Sequence, residues 1–218
     1  MAVILVANEK GGTGKTTLAT NMAIMRAQHG SDVLLVDADP QGSSSEFIRV
    51  REDEQVQPSI TCVSITGRGV SSEVRKLIPR YKDIIIDAGG RDSAGLRSAL
   101  IVADVLIVPF LAGQYDVWGV ENMDQIVGEA LGLNPEMKPY LVLNKQDTNP
   151  RISIATEAEA LAKEMENLKI LDTKLGYRVA YRRSAAEGRA VNELDKRDPK
   201  AVAELDSLYK EVFSGDEA

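Results

Sequence analysis

The sequence predicts an α/β fold, a doubly wound and mostly parallel sheet with helices on both faces, from three features of the chain. Short runs that are apolar throughout, such as residues 2–7 and 84–86, indicate strands buried on both faces. These runs alternate with segments whose apolar residues recur at helical spacing. Polar clusters follow directly after the strands, where folds of this class bind their ligands. A length of 218 residues suits one domain spanning residues 1–218.

The first half of the chain alternates strand and helix. A strand over residues 2–7 leads into a helix whose apolar residues share one face, and Gly30 is placed to end that helix. A second apolar run predicts a strand over residues 32–37. Residues 46–58 carry little pattern and predict a short helix followed by a loop. The remaining elements of this half are a strand over 60–65 and a helix over 70–78.

The second half repeats the alternation. Apolar runs predict strands over residues 83–87, 105–108 and 140–143, with a weaker candidate at 168–171. Helical spacing predicts a helix over 93–102, a helix over 117–131, a helix through Leu161, Met165 and Leu168, and a final helix over 199–213. The final helix carries an apolar stripe that we expect to dock on the domain.

Composition excludes several classes of protein. The net charge is −7, so nucleic acid would require a local basic patch. The single cysteine, Cys62, excludes an internal disulfide and fits a reducing cytoplasm. No apolar run approaches the length of a membrane span, and the acidic segment 211–218 would be repelled by anionic lipid. We therefore expect a cytoplasmic protein without a membrane partner.

A glycine-rich loop between the first strand and the first helix predicts a phosphate site. Its glycines let the backbone approach an anion, and the N–H groups at the start of the helix point toward that anion. Lys15 adds a mobile positive charge for the β- and γ-phosphates, and the Thr16 hydroxyl is placed to ligate Mg²⁺. The loop reads Asn8-Glu9-Lys10-Gly11-Gly12-Thr13-Gly14-Lys15-Thr16-Thr17.

The loop departs from the general phosphate-loop motif in an informative way. Glu9 stands where the motif has its first glycine, and a second lysine, Lys10, precedes the glycine pair. In this the chain resembles the ParA/MinD family of deviant Walker A P-loop ATPases, in particular its short ParA-type partition and positioning members. The resemblance implies the P-loop NTPase fold, the cofactors ATP and Mg²⁺, and catalytic roles for Lys10 and Lys15. It also implies nucleotide contacts from Lys10, Gly11, Gly12, Thr13, Gly14, Lys15, Thr16 and Thr17.

Three aspartates at strand ends complete the predicted site. Asp37 and Asp87 each close a buried strand, and with Thr16 they form the predicted magnesium shell. The alternative is that each aspartate is a turn or capping residue. Asp39 lies in the run Asp39-Pro40-Gln41-Gly42, which resembles the ParA switch loop, and the resemblance implies that Asp39 orients the attacking water. The alternative for Asp39 is an Asx turn ahead of Pro40.

A competing pattern points to guanine nucleotides. Asp87-x-x-Gly90 and Asn144-Lys145-x-Asp147 match two motifs of Ras-like GTPases, in which the final aspartate selects guanine. The phosphate loop, however, lacks the first glycine of those GTPases. The ParA resemblance implies that Asn144 contacts the base, and it assigns no such role to Asp147. The chain also carries Ala88-Gly89-Gly90 where many ParA relatives have two prolines.

A basic segment supplies a candidate surface for DNA. The segment from Lys174 to Arg189 contains five cations and a single acid, Glu187, and two tyrosines are interleaved with the cations. The candidate DNA-binding residues are Lys174, Arg178, Arg182, Arg183 and Arg189. The alternative is a solvated basic face.

The resemblance implies a complete ATPase cycle. A homodimer that forms on ATP binds double-stranded DNA without sequence preference, and Lys10 reaches the nucleotide of the other subunit. An adaptor protein then stimulates a weak hydrolysis that releases the dimer. Such proteins position plasmid, chromosome or protein-complex cargo over the nucleoid. Two other classes stay open, a metabolic P-loop ligase or kinase of the same fold and a GTPase targeting factor.

Overall fold

A computed structural model describes residues 1–90, 93–112, 114–147, 160 and 163–213. Seven strands form the sheet: β1 Ala2–Ala7, β2 Val33–Asp37, β3 Thr61–Ser64, β4 Asp83–Ala88, β5 Val105–Phe110, β6 Lys138–Gln146 and β7 Lys169–Gly176. Seven helices are described: α1 Lys15–Gln28, α2 Ser43–Asp53, α3 Val70–Leu77, α4 Ser93–Leu100, α5 Gln114–Leu131, α6 Val179–Ala186 and α7 Pro199–Phe213. None of the helices in this part of the chain is long and apolar enough to cross a membrane.

The strand order confirms the predicted doubly wound topology. The order is β3-β2-β4-β1-β5-β6-β7, and every described pair of neighbouring strands is parallel. The central strands are buried on both faces, which explains why they read as continuous apolar runs. The first strand lies at the switch point, because β1 pairs with β4 on one side and with β5 on the other.

Helices cover both faces of the sheet and create two apolar cores. On one face, α3, α4 and α5 pack against the alternate side chains of the central strands, including Leu5 and Ile86. On the other face, α1, α2, α6 and α7 pack against the remaining side chains, including Ile4 and Ile85. The predicted apolar stripe of the last helix is confirmed, since Leu205 and Leu208 are buried in this second core.

Strand register places the predicted site residues next to one another. Asp37 pairs with Asp87 across β2 and β4, and Val6, at the end of β1, pairs with Asp87 on the other side. The loop after β1 therefore leaves the sheet beside both aspartates. Asn144, near the end of β6, lies at the same edge of the sheet.

Two segments differ from their predicted structure because of contacts from other elements. The weak strand candidate is a full strand, β7, and α7 stabilises it: Glu211 accepts hydrogen bonds from the Asp172 and Thr173 amides, and Glu204 accepts one from Gly176. The predicted helix through Leu161, Met165 and Leu168 begins outside the described residues. For the described residues 163–168 the prediction of a helix is wrong. Residues 163–168 form turns, fixed by the buried carboxylate of Asp124, which accepts the Asn167 and Leu168 amides.

Candidate nucleotide site

The glycine-rich loop has the backbone geometry of a phosphate loop. Gly12 and Gly14 have φ values of 78° and 97°, which favour glycine, and Gly14 directly precedes α1. A Cβ atom at Gly14 would also overlap the Asn144 side chain. Gly14 is therefore required both by its conformation and by the close approach of β6.

The loop borders a polar cavity of about 420 Å³. Its walls are the phosphate loop, the loop after β2 through Asp39 and Gln41, and Gly90 after β4. Lys145 closes one side. Most of the predicted phosphate-binding residues and the predicted water-positioning residue therefore line one cavity, whereas Lys10 and Thr13 are not among its lining residues.

The two lysines of the loop are joined by a hydrogen bond. Lys15 Nζ donates to the Lys10 carbonyl at 3.0 Å, and the Lys10 amide donates to Asn8 Oδ1 at 2.8 Å. Burial lowers the pKa of Lys15, and the nearby carboxylates of Asp87 and Asp39 oppose that shift. The Lys15 ammonium therefore lies in a desolvated position where a bound phosphate would stabilise its charge.

Asp87 is buried with one carboxylate oxygen satisfied and the other free. Its Oδ2 accepts hydrogen bonds from the Thr16 and Ser44 hydroxyls, both at 2.7 Å. Its Oδ1 is one of three buried side-chain polar atoms without a partner in the described part of the chain. Burial raises the pKa of Asp87 to about 6, and the adjacent Asp37 carboxylate acts in the same direction.

These features fit a magnesium ion. Mg²⁺ is usually held by one or two carboxylates, together with waters and phosphate oxygens, rather than by a cage of protein ligands. Asp87 Oδ1 and the Thr16 hydroxyl supply such donors beside the phosphate loop. The described residues contain no cluster of three or more acidic, His or Cys side chains able to hold a metal.

Asp37 and Asp39 both form the local hydrogen bonds that are expected of capping and turn residues. Asp37 Oδ2 accepts the Ser45 amide and hydroxyl, both at 2.7 Å, and so caps the first turn of α2. Asp39 Oδ1 accepts the Gln41 amide at 2.9 Å, which is the geometry of an Asx turn. Asp39 nevertheless lines the phosphate cavity, where a Cβ atom at Gly89 would overlap its carboxylate.

The glycine pair after Asp87 has a steric explanation. A Cβ atom at Gly90 would overlap the carbonyl of Glu9, as one at Gly89 would overlap Asp39. The turn after β4 is therefore packed between the phosphate loop and the loop after β2. This close approach explains why both positions are glycine.

A second cavity, of about 200 Å³, adjoins the first and shares Gly14, Thr17 and Lys145 with it. Asn144 lines it, donates from Nδ2 to the Thr13 carbonyl at 2.7 Å, and is buried. The opposite wall is the last residue of β7, Gly176, with Tyr177, Arg178 and α6. The sequence associated this segment only with DNA, whereas in the structure it lies beside the glycine-rich loop.

Comparison with a protein-family model identifies the family of the chain. Residues 4–191 match the model described as the CobQ/CobB/MinD/ParA nucleotide binding domain. The chain belongs to this family. It is 30% identical over 211 residues to the maintenance of carboxysome distribution protein A of Halothiobacillus neapolitanus, covering 96% of this chain and 95% of the relative. It is 26% identical to the chromosome-partitioning ATPase Soj of Thermus thermophilus, covering 92% and 91%.

Solved structures of family members share the fold. A plasmid partition protein from Borrelia burgdorferi, solved with AMPPNP bound, superposes with a TM-score of 0.74. The alignment is 20% identical and covers 98% of both chains. This likeness confirms the predicted P-loop NTPase fold, and the family model confirms the predicted ParA/MinD kinship.

Arg178 and Arg189, both candidate DNA-binding residues, contact carboxylates of this ParA/MinD-family domain. Arg178 forms a bidentate ion pair with Glu204, with Nε at 2.9 Å from Oε2, and hydrogen bonding to that carboxylate raises its pKa. Arg189 donates to the Glu193 carbonyl and lies 3.8 Å from Asp195. Lys174 is half-buried on β7. Only Arg182 and Arg183, both on α6, are exposed among these five residues.

Proposed function

We propose that this chain is a ParA-type ATPase that homodimerises on ATP, binds double-stranded DNA without sequence preference, and is released when an adaptor protein stimulates hydrolysis. The observation that carries the proposal is the hydrogen bond from Lys15 to the carbonyl of Lys10. A phosphate that attracts the Lys15 ammonium would release the segment that carries Lys10. Occupancy of the subunit's own site and the reach of Lys10 to a neighbouring subunit would then be linked.

The residues of the site have distinct roles in the proposed reaction. The N–H groups of residues 11–17 and the Lys15 ammonium bind the triphosphate, and Asn144 binds the base. Thr16 and Asp87 would hold Mg²⁺, with Asp37 orienting the shell from the second strand. When bound there, the ion would supply positive charge beside the phosphate oxygens. Asp39 positions the attacking water, and Lys10 stabilises the transferred charge from the partner's side.

The relatives indicate what kind of cargo such an ATPase moves. One relative carries a name for the distribution of carboxysomes, a protein assembly, and another for the partitioning of chromosomes. Both names describe the positioning of a large object. We therefore propose that this chain works on the nucleoid and positions a plasmid, a chromosome region or a protein complex with its adaptor.

The DNA surface is tested by a matched pair of double variants. Arg182→Ala with Arg183→Ala removes two exposed cations from α6, whereas Arg75→Ala with Arg80→Ala removes two exposed cations near α3, on the opposite face of the sheet. In ATP and low salt, we expect the α6 variant to bind a random-sequence duplex about tenfold more weakly, with a salt slope reduced by about 2. The α3 variant should bind like the wild type. Equal binding by all three proteins would move the DNA surface elsewhere.

A GTPase targeting factor is the second candidate, because the GTPase-like motif contacts the phosphate loop. Asn144 and Lys145, from the GTPase-like motif, both hydrogen-bond to carbonyls of the phosphate loop. A turnover assay with ATP and GTP separates the candidates, because an adenine site should reject GTP. A metabolic ligase or kinase would instead hydrolyse ATP only in the presence of its small substrate.

A further inference from the structure

Lys145 is a cation of the nucleotide site to which the family resemblance gives no role. Its Nζ donates to the Gly12 carbonyl at 2.6 Å, so the side chain reaches from the end of β6 across the phosphate loop. It lines both the phosphate cavity and the adjoining base cavity. Lys145 therefore stands at the junction between the two cavities, where the sugar of a nucleotide would lie.

The backbone of Lys145 is held in an unusual conformation. Its φ is 52°, a left-handed value that lysine adopts rarely and at a cost in free energy. The Asn144 side chain holds the peptide that precedes Lys145, because its Oδ1 accepts the Lys145 amide at 2.8 Å. The same Asn144 side chain donates from Nδ2 to the Thr13 carbonyl. One asparagine and one lysine thus bind two successive carbonyls of the phosphate loop.

The consequence for the loop follows from the geometry of the peptide unit. A trans peptide is planar, and its C=O and N–H point in opposite directions. Holding the Gly12 carbonyl therefore turns the Thr13 amide to the other side of the loop, and holding the Thr13 carbonyl does the same for Gly14. Amides turned in this way are the groups with which a phosphate loop binds the β-phosphate.

We propose that Lys145 is a positioning residue that keeps the phosphate loop in its phosphate-binding form by holding the Gly12 carbonyl. This inference rests on the proposed nucleotide-binding function. It predicts that the loss of Lys145 weakens the binding of nucleotides that carry a β-phosphate. AMP, which lacks a β-phosphate, should be nearly insensitive to its loss, whereas ADP and ATP should be sensitive.

The test measures affinities for AMP, ADP and ATP by titration calorimetry. Lys145→Met keeps the length of the side chain and removes its donors, and we expect about tenfold weaker binding of ADP and ATP, the loss of one charge-assisted hydrogen bond. AMP binding should change by less than about twofold. Lys145→Arg should restore most of the ADP affinity. Lys138→Met, an exposed lysine at the other end of β6, is the matched control and should bind all three like the wild type.

Several outcomes would overturn the inference. Equal losses for AMP and ADP would mean that the substitution acts through Asn144 and the base cavity. Unchanged ADP affinity would mean that the hydrogen bond has no role in binding. Lys145→Asn tolerates the left-handed conformation and must repeat the pattern of Lys145→Met, so that misfolding cannot imitate it. A wild-type protein that binds none of these nucleotides would instead refute the proposed function.

Discussion

Replacing Asp39 by alanine is expected to lower ATP turnover by about 10²-fold or more while leaving ATP binding and ATP-dependent dimerisation intact. Asp39 lines the phosphate cavity but accepts no hydrogen bond from Lys15 or Thr16, which hold the triphosphate and its metal in the proposed mechanism. Its loss should therefore affect the attacking water rather than the bound nucleotide. The variant would accumulate as an ATP-bound dimer, visible by gel filtration and by phosphate release.

A second substitution separates this role from the turn that Asp39 also forms. Asp39→Asn keeps an oxygen able to accept the Gln41 amide, and so it preserves the Asx turn while removing the charge. If Asp39 positions water as a carboxylate, the asparagine variant should be as slow as the alanine variant. Normal turnover in Asp39→Asn would reduce Asp39 to a residue of the turn.

Replacing Asp87 by asparagine is expected to stabilise the protein in magnesium-free buffer and to abolish magnesium-dependent turnover. Burial raises the pKa of Asp87 to about 6, above the ordinary value of 3.8. The Asp87 carboxyl therefore stays protonated to a higher pH in the folded state than in the unfolded state. The stability that the protonated group contributes is present below about pH 4 and is lost as the pH rises through about 6. Above pH 7 the buried charge should lower the free energy of unfolding by about 2–3 kcal/mol.

The asparagine side chain does not ionise in this pH range. The gain in the free energy of unfolding of Asp87→Asn over the wild type should therefore depend on pH. We expect it to be near zero at about pH 4 and to reach about 2–3 kcal/mol above pH 7 in denaturant titrations with a chelator. Asp172→Asn, at an exposed position of β7, is the control and should show no such gain. An Asp87→Asn variant less stable than the wild type at pH 7.5 would mean that the carboxylate stabilises the fold, contrary to this account.

The sequence predicted the central part of the site because local signals and register agree there. The run of β1, the glycines before α1 and the aspartate that closes β4 each have a local pattern, and parallel pairing then brings them together. The strand, the glycine-rich loop and the aspartate are therefore adjacent in the structure, as the sequence predicted.

Other site residues have no local signal. Ser44 is one of three successive serines, and only the fold shows that its hydroxyl donates to Asp87. Lys145 matched a GTPase motif, but its contact with Gly12 depends on the packing of β6 against the phosphate loop. The basic segment predicted a DNA surface, whereas Arg178 in that segment forms an ion pair with Glu204 on α7. Each of these contacts joins residues far apart in the chain, beyond the reach of periodicity or motif spacing.

The central claim is that ATP drives two copies of the chain together through Lys10. Sedimentation velocity with ATP and Mg²⁺ tests it most directly, comparing the wild type, Lys10→Ala and the exposed-lysine control Lys196→Ala. The account predicts that ATP converts the wild type and the control from monomer to dimer, and that Lys10→Ala binds ATP but stays monomeric. A wild type that stays monomeric with ATP bound, or a Lys10→Ala variant that dimerises like the wild type, would contradict it.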